Sequence, residues 1–248
     1  NDESRGTVAT SWEQFSLNSS LYQEQTFALG YGRFLTKNWG PGSLYGGATA
    51  KYLRRSFGSF PEADNALIGN GLQVGAGQGD PVLQGRKSIG VPDADLGLLY
   101  RLPRFYSFGL QLANALQPNV AFDSRDDDTL PMALRLGMAY RTLLSVLTAQ
   151  LETRRSPLGG QDQKVTIGAE RWFPRLFAGD FAFRGALSGG NRDFRQATLG
   201  LSWRTRRIGI DYAFSLPITG VQGTQGAHRM SLSAKFGSTR EQDESVEL

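Results

Sequence analysis

The chain contains no cysteine among its 248 residues, so disulfide bonds, thiolate catalysis and cysteine metal ligands are excluded. It also lacks a run of about 18 apolar residues, and no transmembrane helix is predicted. A single histidine, His228, leaves one candidate for the base of a serine-hydrolase triad. These absences remove most routes to cofactor or nucleophilic chemistry, and we expect no cofactor.

The C-terminal part of the chain alternates apolar and polar residues one by one. Apolar side chains occupy every second position in three stretches, Ala197 to Trp203, Ile208 to Leu216 and Met230 to Phe236. Successive side chains of a strand point to opposite faces of a sheet, so each stretch has one apolar face and one small or charged face. A soluble sandwich would show the same alternation with its apolar faces turned into a core.

The lengths of the connections favour a membrane barrel over a sandwich. We predict about twelve strands, near residues 7–18, 24–35, 44–57, 94–102, 105–116, 131–141, 143–154, 163–173, 177–187, 195–204, 207–216 and 227–237. Tight turns at Pro103, Thr142, Pro174–Arg175 and Thr205–Arg206 alternate with longer connections over 58–93, 117–130, 155–162, 188–194 and 217–226. In an antiparallel meander every second connection lies at the same end. One end is therefore tight and the other carries long loops, as in outer-membrane barrels.

An all-β, antiparallel transmembrane β-barrel is therefore predicted for residues 1–237, with about twelve strands, or fourteen if N-terminal residues are missing. The mean hydropathy of −0.33 fits this class, because lumen-facing residues dilute the lipid face. Residues 238–248 are polar and mostly acidic, which predicts a disordered tail. The chain starts at Asn1 without a methionine or signal segment, which indicates a processed chain or a fragment.

Charged residues occur at positions whose parity turns them towards the lumen. They are Asp95, Arg135, Glu170, Arg184, Asp211, Arg229 and Lys235. In a narrow barrel such charges are expected to pair across the interior and fill it, whereas in a wider barrel they would line a conduit. We expect that these charges pair across the interior and fill it.

Aromatic residues concentrate near the tight-turn end, where Tyr and Trp rings suit a membrane interface. The predicted girdle consists of Tyr100, Tyr106, Tyr140, Trp172, Phe173, Trp203 and Phe236. Seven arginines lie at the same end: Arg101, Arg104, Arg141, Arg175, Arg204, Arg206 and Arg207. They could contact lipid phosphates, or they could be exposed to water at the turns, and the sequence leaves both interpretations open.

Other candidate sites are weak. Four aspartates, Asp123, Asp126, Asp127 and Asp128, could bind a cation weakly through oxygen ligands, but the glycine of a calcium loop is missing and a solvated loop tip is favoured. No metal is predicted. His228 points outwards by parity and no serine and acid can be assigned to it, so no catalytic residues are predicted. The net charge of +4 is spread over the chain rather than gathered in one stripe, which argues against nucleic-acid binding.

From about residue 25 to residue 237 the chain resembles the PorV/PorQ-type outer-membrane proteins, a group related to the FadL fatty acid transporters. The resemblance is carried by residues 95–100, 134–140, 168–173 and 211–214, followed by 228–232. It implies a monomeric barrel of about fourteen strands with an N-terminal segment in the lumen, and roles in secretion as shuttles or anchors. Our count of about twelve strands, without such a segment, departs from that pattern. No catalytic residues are carried over.

The sequence thus favours a non-enzymatic barrel of the bacterial, Gram-negative outer membrane that acts as a binding or assembly component at the cell surface, by resemblance in a secretion-type complex. The expected partners are outer-membrane lipid and another outer-membrane or secreted protein. The alternative is a FadL-like or porin-like passive conduit for small or apolar solutes; a soluble periplasmic β-protein comes third. The lumen discriminates between the first two, because a scaffold can be plugged whereas a conduit needs a continuous path.

Overall fold

A computed structural model describes residues 6–17, 21–58, 66–69, 74–78, 87–122, 126–156, 159–176, 178–191, 193–219 and 226–234. Its strands are β1 (Thr7–Leu17), β2 (Tyr22–Trp39), β3 (Gly42–Phe57), β4 (Ala66–Gly69), β5 (Val74–Gln78), β6 (Ser88–Arg101), β7 (Tyr106–Ala113), β8 (Ala133–Arg141), β9 (Ser145–Arg155), β10 (Gln161–Leu176), β11 (Gly179–Gly190), β12 (Arg195–Arg204), β13 (Ile208–Thr219) and β14 (Ala227–Ala234). Within these ranges, no helix is long and apolar enough to cross a membrane.

Twelve strands form one antiparallel sheet in the order β1-β2-β3-β6-β7-β8-β9-β10-β11-β12-β13-β14, and β4 and β5 form a separate hairpin. The predicted all-β, antiparallel architecture is confirmed, and the sheet is consistent with a β-barrel. β12 has the predicted bounds. β6 begins at Ser88, six residues before the predicted start at 94, because its pairing with β3 continues through Pro92 to Ser56 opposite Ser88. The hairpin of β4 and β5 has no counterpart among the predicted strands.

The two faces of the sheet differ sharply in composition and burial. Large apolar side chains on one face are exposed, for example Ile167 at 63% and Leu199 at 68%. Among the described residues, the buried apolar side chains are only Ala113, Val120, Ala133 and Ala182. A soluble sandwich would bury its apolar face in a core, whereas an apolar face that no other part of the protein covers suits contact with lipid. We call this the apolar face and the opposite one the charged face.

The turns at one end of the sheet are tight, as predicted at Pro103, Thr142 and Thr205–Arg206. They join β2 to β3 at Gly40 and Pro41, β6 to β7 at 102–105, β8 to β9 at 142–144, and β12 to β13 at 205–207. The predicted turn at Pro174–Arg175 is wrong, because β10 continues with a register irregularity to Leu176 and β11 begins at Gly179. The connections between β3 and β6 and between β7 and β8 span 58–87 and 114–132, at the other end. The alternation of short and long connections therefore holds along the chain.

The edges of the sheet are β1 and β14. In the described part of the chain β1 pairs with β2 and β14 pairs with β13, and no backbone pairing joins the two edges. Every residue of both strands is exposed, in contrast to the alternating exposure of β8 and β10. With twelve antiparallel strands in the sheet, β1 and β14 run in opposite directions, which is the relation that antiparallel pairing between them would need.

Candidate functional site: the charged face

The charged face carries its ionic side chains in clusters that join neighbouring strands. In the first, which we call the lysine cluster, Lys51 on β3 lies opposite Asp93 on β6. Lys51 Nζ is 2.8 Å from Asp93 Oδ2 and 2.6 Å from Asp95 Oδ1, and it donates a 2.8 Å hydrogen bond to Asn114 Oδ1. The side chain of Asp93 is 0% exposed. One ammonium group thus neutralises one of two adjacent carboxylates in a buried site.

The lysine cluster is covered by the connection between β7 and β8. We call its described residues, 114–122 and 126–132, the inward segment. The backbone N–H of Asn114 donates to Asp95 Oδ1 at 2.9 Å, and that of Leu116 donates to Asp93 Oδ1 at 3.3 Å. Buried carboxylates are tolerated when cations and donors satisfy them. The segment therefore supplies donors that the two carboxylates need once it has displaced water.

Further contacts fix the inward segment along β3. Arg55, which shares the face of Lys51, has its Nη1 2.6 Å from Asp128 Oδ2. The ring of Phe122 lies 4.6 Å from that of Phe57. Within the segment, an isolated bridge pairs Asn119 with Thr129. The chain here folds back onto the charged face, while Asp126, Asp127 and Asp128 at its tip remain exposed.

The second cluster, which we call the arginine network, joins β10, β11 and β13. Arg184 Nε is 2.7 Å from Glu170 Oε2, and its Nη2 is 2.8 Å from Asp211 Oδ1. Asp211 is on β13, so the guanidinium of Arg184 reaches across β12. It passes Gly200, where an added Cβ would lie 3.5 Å from Arg184 Cβ and 3.2 Å from Tyr212 O. A glycine at this point keeps the route between the two strands clear.

The arginine network lies in a cavity of about 1110 Å³. Its lining includes Glu13, Thr148, Glu170, Arg184, Asp211 and Arg229. Because Glu13 is on β1 and Arg229 on β14, the cavity extends to the two edges of the sheet. Arg229 makes no ion pair within the described ranges. The charges here line a wall rather than fill the space.

The structure places Asp95, Arg135, Glu170, Arg184 and Asp211 on the charged face. Pairing across the interior, which we expected, is replaced by pairing along the wall: Arg135 Nε, for example, is 2.9 Å from Glu152 Oε2 on the adjacent strand. Glu152 is absent from the predicted charges, although antiparallel pairing across the tight turn at Thr142 places it opposite Arg135. Lys51, Asp93 and Arg55 are absent from that set as well. Lys235 lies outside the described residues.

Comparison with known protein families agrees with a sheet of this kind. Residues 18–234 match the family described as Type IX secretion system membrane protein PorP/SprF. The chain belongs to the PorP/SprF family. Membership indicates a membrane component of the type IX secretion system. It supports the secretion role implied by the resemblance to PorV/PorQ-type proteins, but does not confirm a relation to PorV/PorQ or FadL. No curated protein matches the chain.

The aromatic residues of this PorP/SprF member divide between the two faces. Tyr106 and Tyr140 pair on the apolar face near the tight turns, with ring centroids 5.0 Å apart. Tyr100, Phe173 and Trp203 share that face by register. Trp172 does not, and its place in an outer girdle is a correction. It has the parity of Glu170, to which its Nε1 donates, and the Arg204 guanidinium lies 4.6 Å from its ring centre. Phe236 lies outside the described residues.

The weaker candidate sites in the same PorP/SprF chain do not assemble. Asp128 pairs with Arg55 and Asp127 accepts a hydrogen bond from Thr129, so Asp126, Asp127 and Asp128 do not converge. Asp123 lies outside the described residues. Across the described ranges, no three carboxylate or imidazole side chains form a group that could hold a metal ion.

His228 Nδ1 lies 2.7 Å from Tyr212 Oη, and its ring centroid is 4.9 Å from that of Phe214. Both contacts are on the apolar face. The serine hydroxyls that donate to Asp211, those of Ser202 and Ser231, lie on the charged face. A hydrolase triad needs the serine, histidine and acid in one chain of hydrogen bonds. The sheet separates His228 from the other candidate members.

Proposed function

We propose that this PorP/SprF member is a non-enzymatic protein of the bacterial outer membrane that serves type IX secretion by binding other proteins rather than by conducting solutes. The observation that carries the proposal is the inward segment folded against the charged face. Its expected partners are outer-membrane lipid and another outer-membrane or secreted protein of the system.

The inward segment supports a scaffold because moving it would be costly. It covers the lysine cluster, where the Asp93 side chain is fully buried and relies on donors from Lys51 and from the backbone of Leu116. Withdrawing the segment would remove donors from a buried carboxylate. A conduit needs a continuous path along the charged face, and the segment occupies that face beside β3 and β6.

The apolar face supports a membrane location. Along each strand, successive residues point in turn to the apolar face and to the charged face. The apolar side chains are not covered by other parts of the protein, as at the lipid-facing positions of a transmembrane barrel. A spanning sheet must also satisfy its backbone groups internally. We infer that the sheet closes within the membrane, with the tight turns on the periplasmic side and the long connections at the cell surface.

A passive conduit remains the second candidate because of a specific observation. The cavity of about 1110 Å³ beside the arginine network is not covered by the inward segment, and a second cavity of about 700 Å³ lies near Phe34, Tyr45 and Leu99 at the tight-turn end. A FadL-like or porin-like protein would use such spaces for apolar or small solutes.

Conductance of the reconstituted protein separates the two functions. We expect the unmodified protein to show little steady conductance, and Arg55→Gln, which releases Asp128 of the inward segment, to raise it. Asp126→Asn, a change at an exposed carboxylate of the same segment, should leave it unchanged. A large conductance from the unmodified protein, or an apolar ligand that co-purifies in the cavity, would favour the conduit.

Partner binding tests the scaffold directly. Replacing residues 59–86 by a short glycine-serine linker should abolish cross-linking to other secretion proteins in cells, while the protein still reaches the outer membrane. If cross-linking persists after this replacement, the partner binds a part of the protein other than residues 59–86.

A further inference from the structure

The tight-turn end of the sheet is strongly cationic. Seven arginines at this end are exposed, Arg101, Arg104, Arg141, Arg175, Arg204, Arg206 and Arg207. Among the described residues of these turns, the acidic side chain is that of Asp180, whose Oδ1 accepts a hydrogen bond from the backbone N–H of Arg175. The opposite end mixes both signs, as in the pair of Arg154 with Asp162. Positive charge is therefore segregated at one end.

Most of these guanidinium groups are not used within the protein. Arg101 lies 5.3 Å from the ring centre of Tyr45, and Arg204 lies over Trp172 with its Nη2 3.8 Å from Asp211 Oδ1. The others make no side-chain hydrogen bond, ion pair or ring contact with a described residue, and we call them the arginine rim: Arg104, Arg141, Arg175, Arg206 and Arg207. Their charge is available to a ligand outside the chain.

The backbone at two rim residues shows that arginine is not the least strained choice there. Arg104 has φ of 80° in the turn between β6 and β7, and Arg175 has φ of 60° at the end of β10, where the pairing with β11 shifts in register. Each follows a proline. Positive φ favours glycine, because a Cβ is disfavoured there. The same Pro-Arg arrangement thus occurs at two separate strand ends, and a role for the guanidinium at each accounts for this repetition.

Two neighbouring turns also form a cleft of about 580 Å³. Its lining includes Ala178, Gly179, Asp180, Arg204, Arg206 and Arg207. Arginine binds phosphate through paired N–H donors in a planar fork. Arg206 and Arg207 bring two guanidinium groups of the rim to this cleft, which suits an anionic group of the size of a phosphodiester; Arg204 already contacts Trp172 and Asp211.

The neighbouring aromatic side chains favour lipid as the source of that phosphate. Phe105, Tyr106 and Tyr140 lie beside the turns, with the Phe105 and Tyr140 centroids 5.7 Å apart. Aromatic rings of this kind sit at the headgroup level of a membrane, and basic side chains nearby attract anionic lipids. The rim would then lie within the headgroup layer.

We propose that the arginine rim binds the phosphate groups of anionic phospholipids in the membrane leaflet that meets the tight-turn end. The inference rests on the membrane location proposed above. It assigns the rim to the lipid headgroups themselves, and an acidic protein partner is a competing outcome of the test.

The test compares lipid retention by two matched variants. The rim variant changes Arg104, Arg175, Arg206 and Arg207 to Gln; the control changes Arg54, Arg154, Arg155 and Arg195, exposed residues away from the rim, to Gln. Each protein is purified in detergent, incubated with equal phosphatidylglycerol and phosphatidylcholine, and its bound lipid measured by mass spectrometry. The unmodified protein should prefer phosphatidylglycerol, with binding roughly fivefold weaker for each rim arginine removed. The control should keep the preference, which should fall with added salt.

Two outcomes would overturn the proposal. One is equal retention of the two lipids by the unmodified protein. The other is a rim variant that keeps its lipid preference but loses a cross-link to a periplasmic protein, which would make the rim a protein-binding surface. A rim variant that no longer shifts on unheated gels has not folded, and the double variant Arg206→Gln/Arg207→Gln then serves in its place. Failure of the unmodified protein to require detergent would instead refute the membrane location.

Discussion

The lysine cluster and the arginine network place the same chemistry in opposite surroundings. In each, one central cation pairs with two carboxylates of the charged face, and in the arginine network Arg204 Nη2 also lies 3.8 Å from Asp211 Oδ1. Lys51 and Asp93 are 12% and 0% exposed, whereas Arg184 and Glu170 are 35% and 24% exposed. The inward segment covers the first cluster, and a cavity opens onto the second. We therefore expect the two clusters to differ in energetic importance because of what lies over them.

The lengths of the connections explain why only one cluster is covered. The connection between β7 and β8 spans 114–132, long enough to fold back onto β3 and β6. Those between β9 and β10 and between β11 and β12 span only 156–160 and 191–194. Connections this short cannot extend over the arginine network. Among the described residues, the connection between β7 and β8 thus covers one half of the charged face, and a cavity opens at the other half.

The largest expected effect separates the two clusters. Lys51→Met should leave Asp93 and Asp95 adjacent and without their cation, with Asp93 fully buried. Removing one partner of a buried pair costs about 3–5 kcal/mol, and we expect a loss of that order in the free energy of unfolding. It can be measured by denaturant titration in detergent, using the gel shift between folded and heated protein. A loss of less than about 1 kcal/mol would mean that water reaches the cluster in spite of the segment.

A second effect, on the apolar face, tests whether the membrane lies where we infer. Leu199 pairs with Phe214 in the middle of β12 and β13. Leu199→Arg should therefore lower the free energy of unfolding by about 2–4 kcal/mol. Ile210 pairs with Trp203 close to the tight turn, so Ile210→Arg should cost only about 0–1 kcal/mol. Both variants are compared by the same titration in lipid bilayers. Equal costs would argue against a membrane centred on Leu199.

Local patterns in the sequence were sufficient for the twelve strands of the main sheet but not for the hairpin of β4 and β5. Parity puts Asp211 and Glu170 on the same face of their strands, and in the structure both contact Arg184. Parity also predicts that Trp172 shares the face of Glu170. Its position near the turn instead favours a place among the aromatic residues at the membrane interface, and that prediction is wrong. The tight turn at Thr142 sets a register from which the pair of Arg135 and Glu152 could have been predicted.

The lysine cluster could not be predicted in this way. Lys51 and Asp93 lie on strands separated by the connection over 58–87, so no short turn sets their register. The contact of Asn114 with Lys51 depends further on a connection that folds back onto the sheet. Both relations arise from tertiary packing between distant parts of the chain, which alternation of residues does not encode.

The smallest expected effect completes the comparison of the two clusters. Arg184→Gln removes a guanidinium that is 35% exposed, and it leaves Glu170 and Asp211 facing a cavity of about 1110 Å³, with Arg204 Nη2 still 3.8 Å from Asp211 Oδ1. Water in a space of this size can solvate both carboxylates, and exposed ion pairs contribute about 0–1 kcal/mol. We therefore expect a loss within that range in the same unfolding titration, with greater sensitivity to salt than for Lys51→Met. A loss as large as that of Lys51→Met would show that the cavity excludes water, and the two halves of the charged face would then be energetically alike.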